Sequence, residues 1–519
     1  MKSFDAIIIG GGHNGLVAAG LLAKAGKRVV VLEASDSVGG GARTREFHAG
    51  YRASGLAHIV NRLAPEVIQE LGLDTSLFTS EMAPTVVLDA ARGPAVLRGA
   101  YGETVDGVGP VEAEAFGRMR AKLMMQAGIL GRFLGKRPPR PGEAGLSELF
   151  DLGMTGLSLI GKGREEARDF ARMVLMNVAD IADEYLTDDR LKGLLAFDAT
   201  LGVHLGPRSP TSLIGLYYRL TGEALGVTGG QYLPKGGMQA VTALIEKAAV
   251  TAGAEIRLNT PVAKILSDRG RAQGVMLASG EEIAAPLIVS AIHPVTTLRQ
   301  LTVPGEIDAG LSTSLKHVRT KGDVAKLTLT LDRVPEFRGV PPADLKGRLV
   351  IAPSIDHVEN AFNPAKYGAF SPEPVMEITL PSLVDPQIAP EGGAVLSALV
   401  QYAPYELREG WASGRPKLLA AIMAVLERHA PGISASVKES ELLVPPDIEA
   451  RYHMPGGHWH HGELQVDQLL INRPTFAVSG YETPLAGLYL ASAGSHPGGG
   501  ISGLPGMNAA RHILSRRHA

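Results

Sequence analysis

The glycine-rich stretch near the amino end constrains the fold of this chain most strongly. Residues 10–15 read Gly-Gly-Gly-His-Asn-Gly and satisfy the pattern G-x-G-x-x-G. An apolar run at 4–9 precedes them, an Ala/Leu-rich segment at 16–25 follows, and a Val-rich run at 27–32 ends at Glu33. Two apolar runs around a helical segment predict a βαβ unit in a buried parallel sheet. A glycine-rich turn in that context indicates a dinucleotide-binding site.

Each residue of the motif has a physical role in such a site. Gly10 permits the tight turn, Gly12 lets a pyrophosphate approach the backbone at the positive end of the helix, and Gly15 lets helix and strand pack closely. Glu33 can accept hydrogen bonds from ribose hydroxyls. The alternative is an ordinary turn in an α/β protein, and the motif alone does not distinguish NAD from FAD.

Length, cysteine content and charge exclude several classes of protein. At 519 residues the chain exceeds the ~250–300 residues of a single core, so two or three domains are expected. The absence of cysteine excludes disulfides, thiolate zinc sites, iron–sulfur clusters, redox dithiols and a cysteinyl-linked flavin. Any redox chemistry must therefore come from a bound cofactor. A net charge of −2 gives no global attraction for phosphates, and we expect no nucleic-acid partner.

Later segments extend the predicted parallel-sheet domain. A helix is predicted at 236–251, and strands are predicted at 254–258, 262–266, 272–278, 287–291 and 487–491. Between them, residues 66–227 are predicted to be mostly helical. Alternating segments in 296–470 predict an antiparallel sheet with one face in solvent.

These patterns predict an α/β fold in which a discontinuous dinucleotide-binding domain carries an inserted α+β substrate domain. We assign residues 1–65, 228–295 and 471–519 to the first domain. Residues 66–227 and 296–470 form the second domain, which includes a helical lid.

Four sequence blocks carry a family resemblance, and they span nearly the whole chain: residues 10–16, 232–238, 461–463 and 488–500. In these blocks the chain resembles the phytoene desaturase and amine oxidase superfamily of FAD-dependent oxidoreductases. Within it, the chain is similar to bacterial relatives of pyridine nucleotide-disulfide oxidoreductase domain-containing protein 2. The resemblance implies a split glutathione-reductase-like FAD-binding domain and noncovalently bound FAD. Without cysteine, disulfide chemistry is excluded.

The resemblance also implies which residues bind the cofactor: Gly10, Gly12, Gly15, Glu33, Gly40 and Gly494, with Val262 as the adenine contact. The superfamily often has arginine where Ser37 and Gly41 stand, so Arg43 is the candidate that supplies charge near the flavin.

The carboxyl-terminal glycine block has its own physical interpretation. Residues 498–500 allow close backbone approach, and a helix that begins near Gly503 would direct its amide dipole at the flavin N1/C2 side, where reduction places negative charge. The alternative is a flexible turn before a terminal helix.

The resemblance and the residue types nominate His461, Glu463 and His496 for proton removal or substrate orientation. The nearby histidines 453, 458, 460 and 461, together with Glu463, also suit a metal. The family resemblance argues against that alternative, and we expect no metal.

Residues 115–140 hold seven basic side chains and no acidic ones, beside apolar residues at mostly helical spacing. Such a helix could lie on an anionic membrane surface. The interpretation we favour is a lid that closes a substrate tunnel.

The expected activity is hydride removal from an apolar small molecule, so that a C–C bond is desaturated or a double bond is shifted. Amine oxidation and a flavin-binding scaffold with little turnover are the alternatives. Apart from the carboxyl-terminal glycine block at 498–503, which is already assigned to the flavin, no second G-x-G-x-x-G motif follows residue 66. We therefore expect no dedicated NAD(P)H domain, and oxygen, a quinone or another external acceptor should reoxidise the flavin. We expect a cytoplasmic protein, with contact to the inner membrane as a less favoured possibility. The sequence leaves the oligomeric state open.

Overall fold

A computed structural model describes residues 4–78, 81–138 and 164–516 of the chain. In these ranges, none of the helices combines the length and the apolarity that crossing a bilayer requires.

The strands of the described residues are, in chain order, β1 Ala6–Ile9, β2 Val29–Leu32, β3 Thr44–His48, β4 Tyr51–Ser54, β5 Thr85–Val87, β6 Ala95–Arg98, β7 Thr104–Asp106, β8 Glu223–Ala224, β9 Val227–Thr228, β10 Glu255–Arg257, β11 Val262–Asp268, β12 Arg271–Leu277, β13 Glu282–Ala284, β14 Ile288–Ser290, β15 Val324–Leu331, β16 Arg348–Ile351, β17 Val375–Thr379, β18 Ala394–Gln401, β19 Val437–Leu443 and β20 Leu488–Leu490.

The helices of the same residues are α1 His13–Lys24, α2 Pro65–Leu71, α3 Pro110–Leu134, α4 Arg164–Leu175, α5 Val178–Tyr185, α6 Asp189–Thr200, α7 Leu213–Leu220, α8 Gly237–Thr251, α9 Pro294–Thr296, α10 Ala309–Lys316, α11 Ile355–Phe362, α12 Trp411–His429, α13 Ile433–Ser436, α14 Pro445–Tyr452 and α15 Leu504–Ser515.

The first sheet is parallel and has the order β10-β2-β1-β14-β20. Its strands β1, β2 and β14 are buried along their whole length, as the continuous apolar runs predicted. Helices α1, α8 and α15 pack on this sheet through apolar residues. The sheet thus joins strands from three separated stretches of the chain. The domain boundaries assigned above stay a prediction.

The second large sheet has the order β19-β15-β18-β17-β16-β5-β6-β7 and is mixed, because β5 and β16 are parallel while the other pairs are antiparallel. Strands β5–β7 lie in the block predicted to be mostly helical, so that prediction was wrong for residues 85–106.

The prediction of a solvent-exposed face on this sheet was also wrong. Every residue of β15 and β18 is buried. The apolar face of β15, which includes Leu327 and Leu329, packs with α12. The alternating polar face instead turns inward, toward the cavity described below. A polar stripe on a strand indicates only that one face differs from the other, and here the polar face is covered by protein.

Helix α3 packs one face into the core of the helical layer. Phe116, Met119 and Leu123 are buried in one cluster with residues of α7. None of residues 115–138 lines the cavity, and residues 139–140 of the predicted lid lie outside the described residues. An interfacial helix would need this apolar face free to enter lipid, but the face is packed in the helical layer. The lid over a substrate tunnel stays a prediction.

Candidate active site

A large cavity of about 670 Å³ lies between the two main sheets. Ile9 and Leu32, the last residues of β1 and β2, line one wall. Glu377 of β17 and Leu399 of β18 line the opposite wall. In open α/β sheets ligands bind beyond the carboxyl ends of the strands, which is where this cavity lies.

The glycine motif shapes the first wall. Gly10 has φ +95°, and a Cβ there would come within 2.8 Å of Ile292 Cγ2. A Cβ on Gly15 would stand 2.1 Å from the carbonyl oxygen of Gly10, so α1 and β1 approach too closely for any other residue. Gly12 lines the cavity and has no heavy atom within 4 Å of its Cβ position. The cavity is therefore open at the position where a pyrophosphate is expected.

Four other predicted cofactor residues line the same end: Glu33, Gly40, Arg43 and Val262. The Glu33 carboxylate is held in place because Oε2 accepts from the Gly11 amide at 2.7 Å and Oε1 from the Ser35 amide at 2.9 Å. Each oxygen keeps a lone pair for a ribose hydroxyl.

Two predicted cofactor residues in the carboxyl-terminal block do not line the cavity. Gly494 lies against Pro294, whose Cδ would be 2.5 Å from a Cβ at that position. Gly503 has φ +74° and directly precedes α15. The lining residues of this block are instead Ala493, Gly499, Gly500 and Ile501. Gly494 and Gly503, like Gly15, pack beside the site, and their contact with the cofactor stays a prediction.

His461 is the one of the three catalytic candidates that lines the cavity. Its Nδ1 is buried and has no hydrogen-bond partner among the described residues. Burial, followed by the charge of Arg473, lowers the pKa of His461 to about 3. The imidazole is therefore neutral at physiological pH and offers a polar nitrogen rather than a charge.

Glu463 and His496, the other two candidates for proton removal or substrate orientation, lie behind the cavity wall. The Glu463 carboxylate is 3% exposed, and its Oε2 accepts from Arg319 Nε at 2.9 Å. His496 Nε2 donates to the carbonyl oxygen of Phe133 at 2.8 Å. Neither residue lines the cavity. In the described ranges, no group of three His, Cys, Asp or Glu side chains could hold a metal ion.

A buried ionic network underlies the second wall and was not anticipated from the sequence. Arg348, which is fully buried, donates to both Asp198 and Glu377. Both carboxylates line the cavity. Arg219 adds a second cation, with Nε 3.3 Å from Asp198 Oδ2. Two arginines thus offset the two carboxylates at this wall.

His58 and Lys326 extend the network toward β15. His58 Nε2 lies 2.8 Å from Glu377 Oε1, and His58 Nδ1 lies 3.2 Å from Lys326 Nζ. Lys326 Nζ also donates to Ser397 Oγ at 2.6 Å and to the Leu56 carbonyl at 3.2 Å. Burial lowers the pKa of Lys326 to about 7, although the charge of Glu377 opposes this shift. The polar face of the sheet is therefore a satisfied network beneath the cavity.

The family follows from comparison with known proteins. The family model described as flavin containing amine oxidoreductase matches residues 15–514. The chain belongs to this family. It is 30% identical over 545 residues to pyridine nucleotide-disulfide oxidoreductase domain-containing protein 2 of Mus musculus, with 99% of this chain and 93% of the mouse protein covered.

Two further proteins are similar to this chain, one in sequence and one in structure. The phytoene desaturase (neurosporene-forming) of Rhodobacter capsulatus is 26% identical over 534 residues, which cover 96% of this chain and 92% of that protein. The structure of cyclohexylamine oxidase from Brevibacterium oxydans IH-35A shares the fold, with a TM-score of 0.59, 17% identity and 100% of both chains covered. The family resemblance predicted from the sequence is confirmed. The protein is a flavin-dependent oxidoreductase, and its cofactor is FAD.

The residues at the first wall fit FAD. His13 and Asn14 line the cavity end, and their buried atoms His13 Nε2 and Asn14 Oδ1 have no hydrogen-bond partner among the described residues. Such orphaned polar atoms are costly unless a ligand satisfies them. They lie beside the open space at Gly12 and on the same cavity as the Glu33 carboxylate. These residues would hold the diphosphate and ribose portions of the dinucleotide.

Proposed function

We propose that the protein is an FAD-dependent dehydrogenase that oxidises carbon in a largely apolar small molecule, by desaturating a C–C bond or shifting a double bond. A split glutathione-reductase-like domain holds the cofactor noncovalently at the Gly12 end of the cavity. The substrate lies at the Glu377 end. Bound FAD supplies the hydride acceptor, and an external acceptor such as oxygen or a quinone then takes the electrons.

The charge at the Glu377 end supports oxidation at carbon over oxidation of an amine. Asp198 and Glu377 are the carboxylates that line this end among the described residues. Both are engaged by Arg348, and Asp198 also by Arg219. Arg62 adds a further cation to the lining. A protonated amine would therefore meet a neutral to positive wall, where its charge is destabilised.

Apolar side chains also line this end, namely Leu201, Val203, Leu399, Trp459 and Leu464. They exclude water from the reacting carbons and bind an apolar skeleton by burying its surface. His461 lines the same cavity with a neutral imidazole that can orient a polar atom of the substrate.

Anaerobic flavin reduction by three matched molecules tests the proposal. Citronellate, citronellol and citronellylamine share one branched skeleton with allylic C–H bonds and differ in the terminal group. We expect citronellate or citronellol to bleach the flavin absorbance while leaving the terminal group unchanged. Faster bleaching by citronellylamine, with release of citronellal, would refute oxidation at carbon.

A further inference from the structure

Three polar side chains meet where the segment after β4 approaches α7. Asn61, Arg62 and Arg219 all line the cavity beside Tyr218. Arg62 is 8% exposed, and its guanidinium lies 3.9 Å from the centroid of the Tyr218 ring. Arg62 Nη2 donates to the Tyr218 carbonyl, and Nη1 lies 3.5 Å from the Gly499 carbonyl oxygen. The group is thus held rigidly at the cavity wall.

The positive charge of Arg62 has no counter-charge in contact with it. Over the described part of the chain, its hydrogen-bond partners are two carbonyls and the Thr221 hydroxyl, and none is a carboxylate. Arg219 does have a carboxylate partner, but Asp198 is shared with Arg348. A buried cation without a counter-ion is strongly unfavourable unless a ligand provides one. Burial and the charge of nearby Arg219 accordingly act to lower the pKa of Arg62.

The neighbouring wall has the opposite character. Leu201, Val203, Leu399 and Leu464 line the same end of the cavity without a polar group among them. A ligand that fits both parts has an apolar body and one anionic end. Guanidinium groups bind carboxylates through paired hydrogen bonds, and a neighbouring side-chain amide such as that of Asn61 can add a third donor.

We propose that the substrate is an apolar carboxylate whose carboxylate group is bound by Arg62 and Arg219, with Asn61 as an additional donor. This inference rests on the proposed function, because it assigns the Glu377 end of the cavity to the substrate. It adds a chemical class, an apolar acid, and names the residues that select it.

We call Arg62, Arg219 and Asn61 the carboxylate anchor. Binding without turnover tests this anchor separately from the reaction. Decanoate, decan-1-ol and decylamine have the same straight chain and no allylic C–H bond. Each is titrated into the FAD-loaded enzyme, and the dissociation constant is read from the perturbation of the flavin visible spectrum. We expect decanoate to bind about 10- to 100-fold more tightly than decan-1-ol, because hydrogen bonds between charged groups are stronger than neutral ones. Decylamine should bind most weakly.

Four variants assign the effect to the two arginines. Arg62→Gln and Arg219→Gln should each weaken decanoate binding about 10-fold or more and leave decan-1-ol binding unchanged. Arg219→Lys, which keeps the charge and the Asp198 contact, should recover part of the affinity. Arg208→Gln is the matched control, since Arg208 is half-exposed and pairs with Asp356 on the surface. It should change neither constant.

Several outcomes would overturn the anchor. Among the wild-type results, these outcomes are equal binding of decanoate and decan-1-ol, tightest binding of decylamine, or no binding of any of the three. In the arginine variants, the contradicting outcome is an equal loss of affinity for decanoate and for decan-1-ol. A changed flavin spectrum and redox potential in ligand-free Arg62→Gln, with decanoate binding intact, would instead assign Arg62 to the cofactor. If these tests fail while citronellol still bleaches the flavin, the anchor is wrong and the proposed function stands. If decanoate binds as expected but only the amine reduces the flavin, the carboxylate-binding residues are correctly identified and oxidation at carbon is wrong.

Discussion

Replacement of Arg348 by methionine tests whether the buried network is a satisfied ionic assembly. Arg348 is fully buried and donates to both Asp198 and Glu377. Breaking a buried ion pair costs about 3–5 kcal/mol, because the partner is left charged and desolvated. Asp198 would keep Arg219, and Glu377 would keep His58. We therefore expect the lower end of that range, about 3 kcal/mol, rather than twice the cost of a single pair.

The pH dependence of this loss provides a second readout. Burial alone would raise the pKa of Glu377, but the charge of Arg348 and the hydrogen bond from His58 hold it well below its ordinary value. In the wild type the stabilisation from Glu377 is present above the carboxyl's ordinary pKa and is lost as pH falls. In Arg348→Met, burial dominates and penalises the ionised carboxyl at high pH. Both effects make the difference in free energy of unfolding between wild type and Arg348→Met larger at about pH 8 than at about pH 5.

Urea denaturation of the two proteins at both pH values measures this difference in apparent free energy of unfolding. Arg333→Met is the control, since Arg333 is 59% exposed and pairs with Asp332 at the surface. Its effect should stay within about 0.5 kcal/mol. A loss below about 1 kcal/mol in Arg348→Met, or an equal loss at both pH values, would refute the reasoning.

Three further predictions concern the cofactor and the network. Gly12→Val should lose bound FAD, measured as flavin per chain, because the valine side chain enters the open space at the turn. The control Gly117→Ala, whose new side chain also meets no neighbouring atom, should retain FAD. Equal retention in both variants would contradict diphosphate binding at Gly12. Heat precipitation should release yellow FAD into the supernatant, and flavin that remains on the peptide would disprove noncovalent binding. Because the pKa of Lys326 is lowered to about 7, the unfolded chain binds one proton more than the folded protein above that pH. Between about pH 7 and 9 the free energy of unfolding of the wild type should therefore rise relative to that of Lys326→Met. The absence of this trend would show that Lys326 titrates normally.

The cofactor end could be predicted from the sequence because its signals are local. The apolar runs around residues 10–15 became β1, α1 and β2, and the strands predicted at 254–258, 287–291 and 487–491 became β10, β14 and β20. Consecutive residues determine a buried strand and a glycine turn, so no long-range information is needed. Strands β5–β7 were missed because they lie inside a long block, residues 66–227, that was predicted as a whole to be mostly helical.

The substrate end could not be predicted because its residues are far apart in the sequence. His58, Asp198, Glu377 and Arg348 come together only when the sheet forms. A signal was present at Lys326, a cation in a strand whose neighbours are apolar or threonine, but it was interpreted as a solvent-exposed face.

Neighbouring residues in the sequence also proved to be a poor guide to a shared site. His461 lines the cavity, whereas Glu463, two residues later, pairs with Arg319 behind the wall. In irregular backbone, only the fold determines which of two close residues faces a cavity.

Product analysis after a single anaerobic turnover shows whether the enzyme oxidises carbon or an amine. The FAD-loaded enzyme is mixed with a slight excess of citronellate or of citronellylamine, and the product is identified by mass spectrometry. We predict that citronellate yields an acid that has lost two hydrogens, or an isomer with a shifted double bond, and that the amine is recovered unchanged. Conversion of citronellylamine to citronellal and ammonia, with citronellate untouched, would contradict oxidation at carbon.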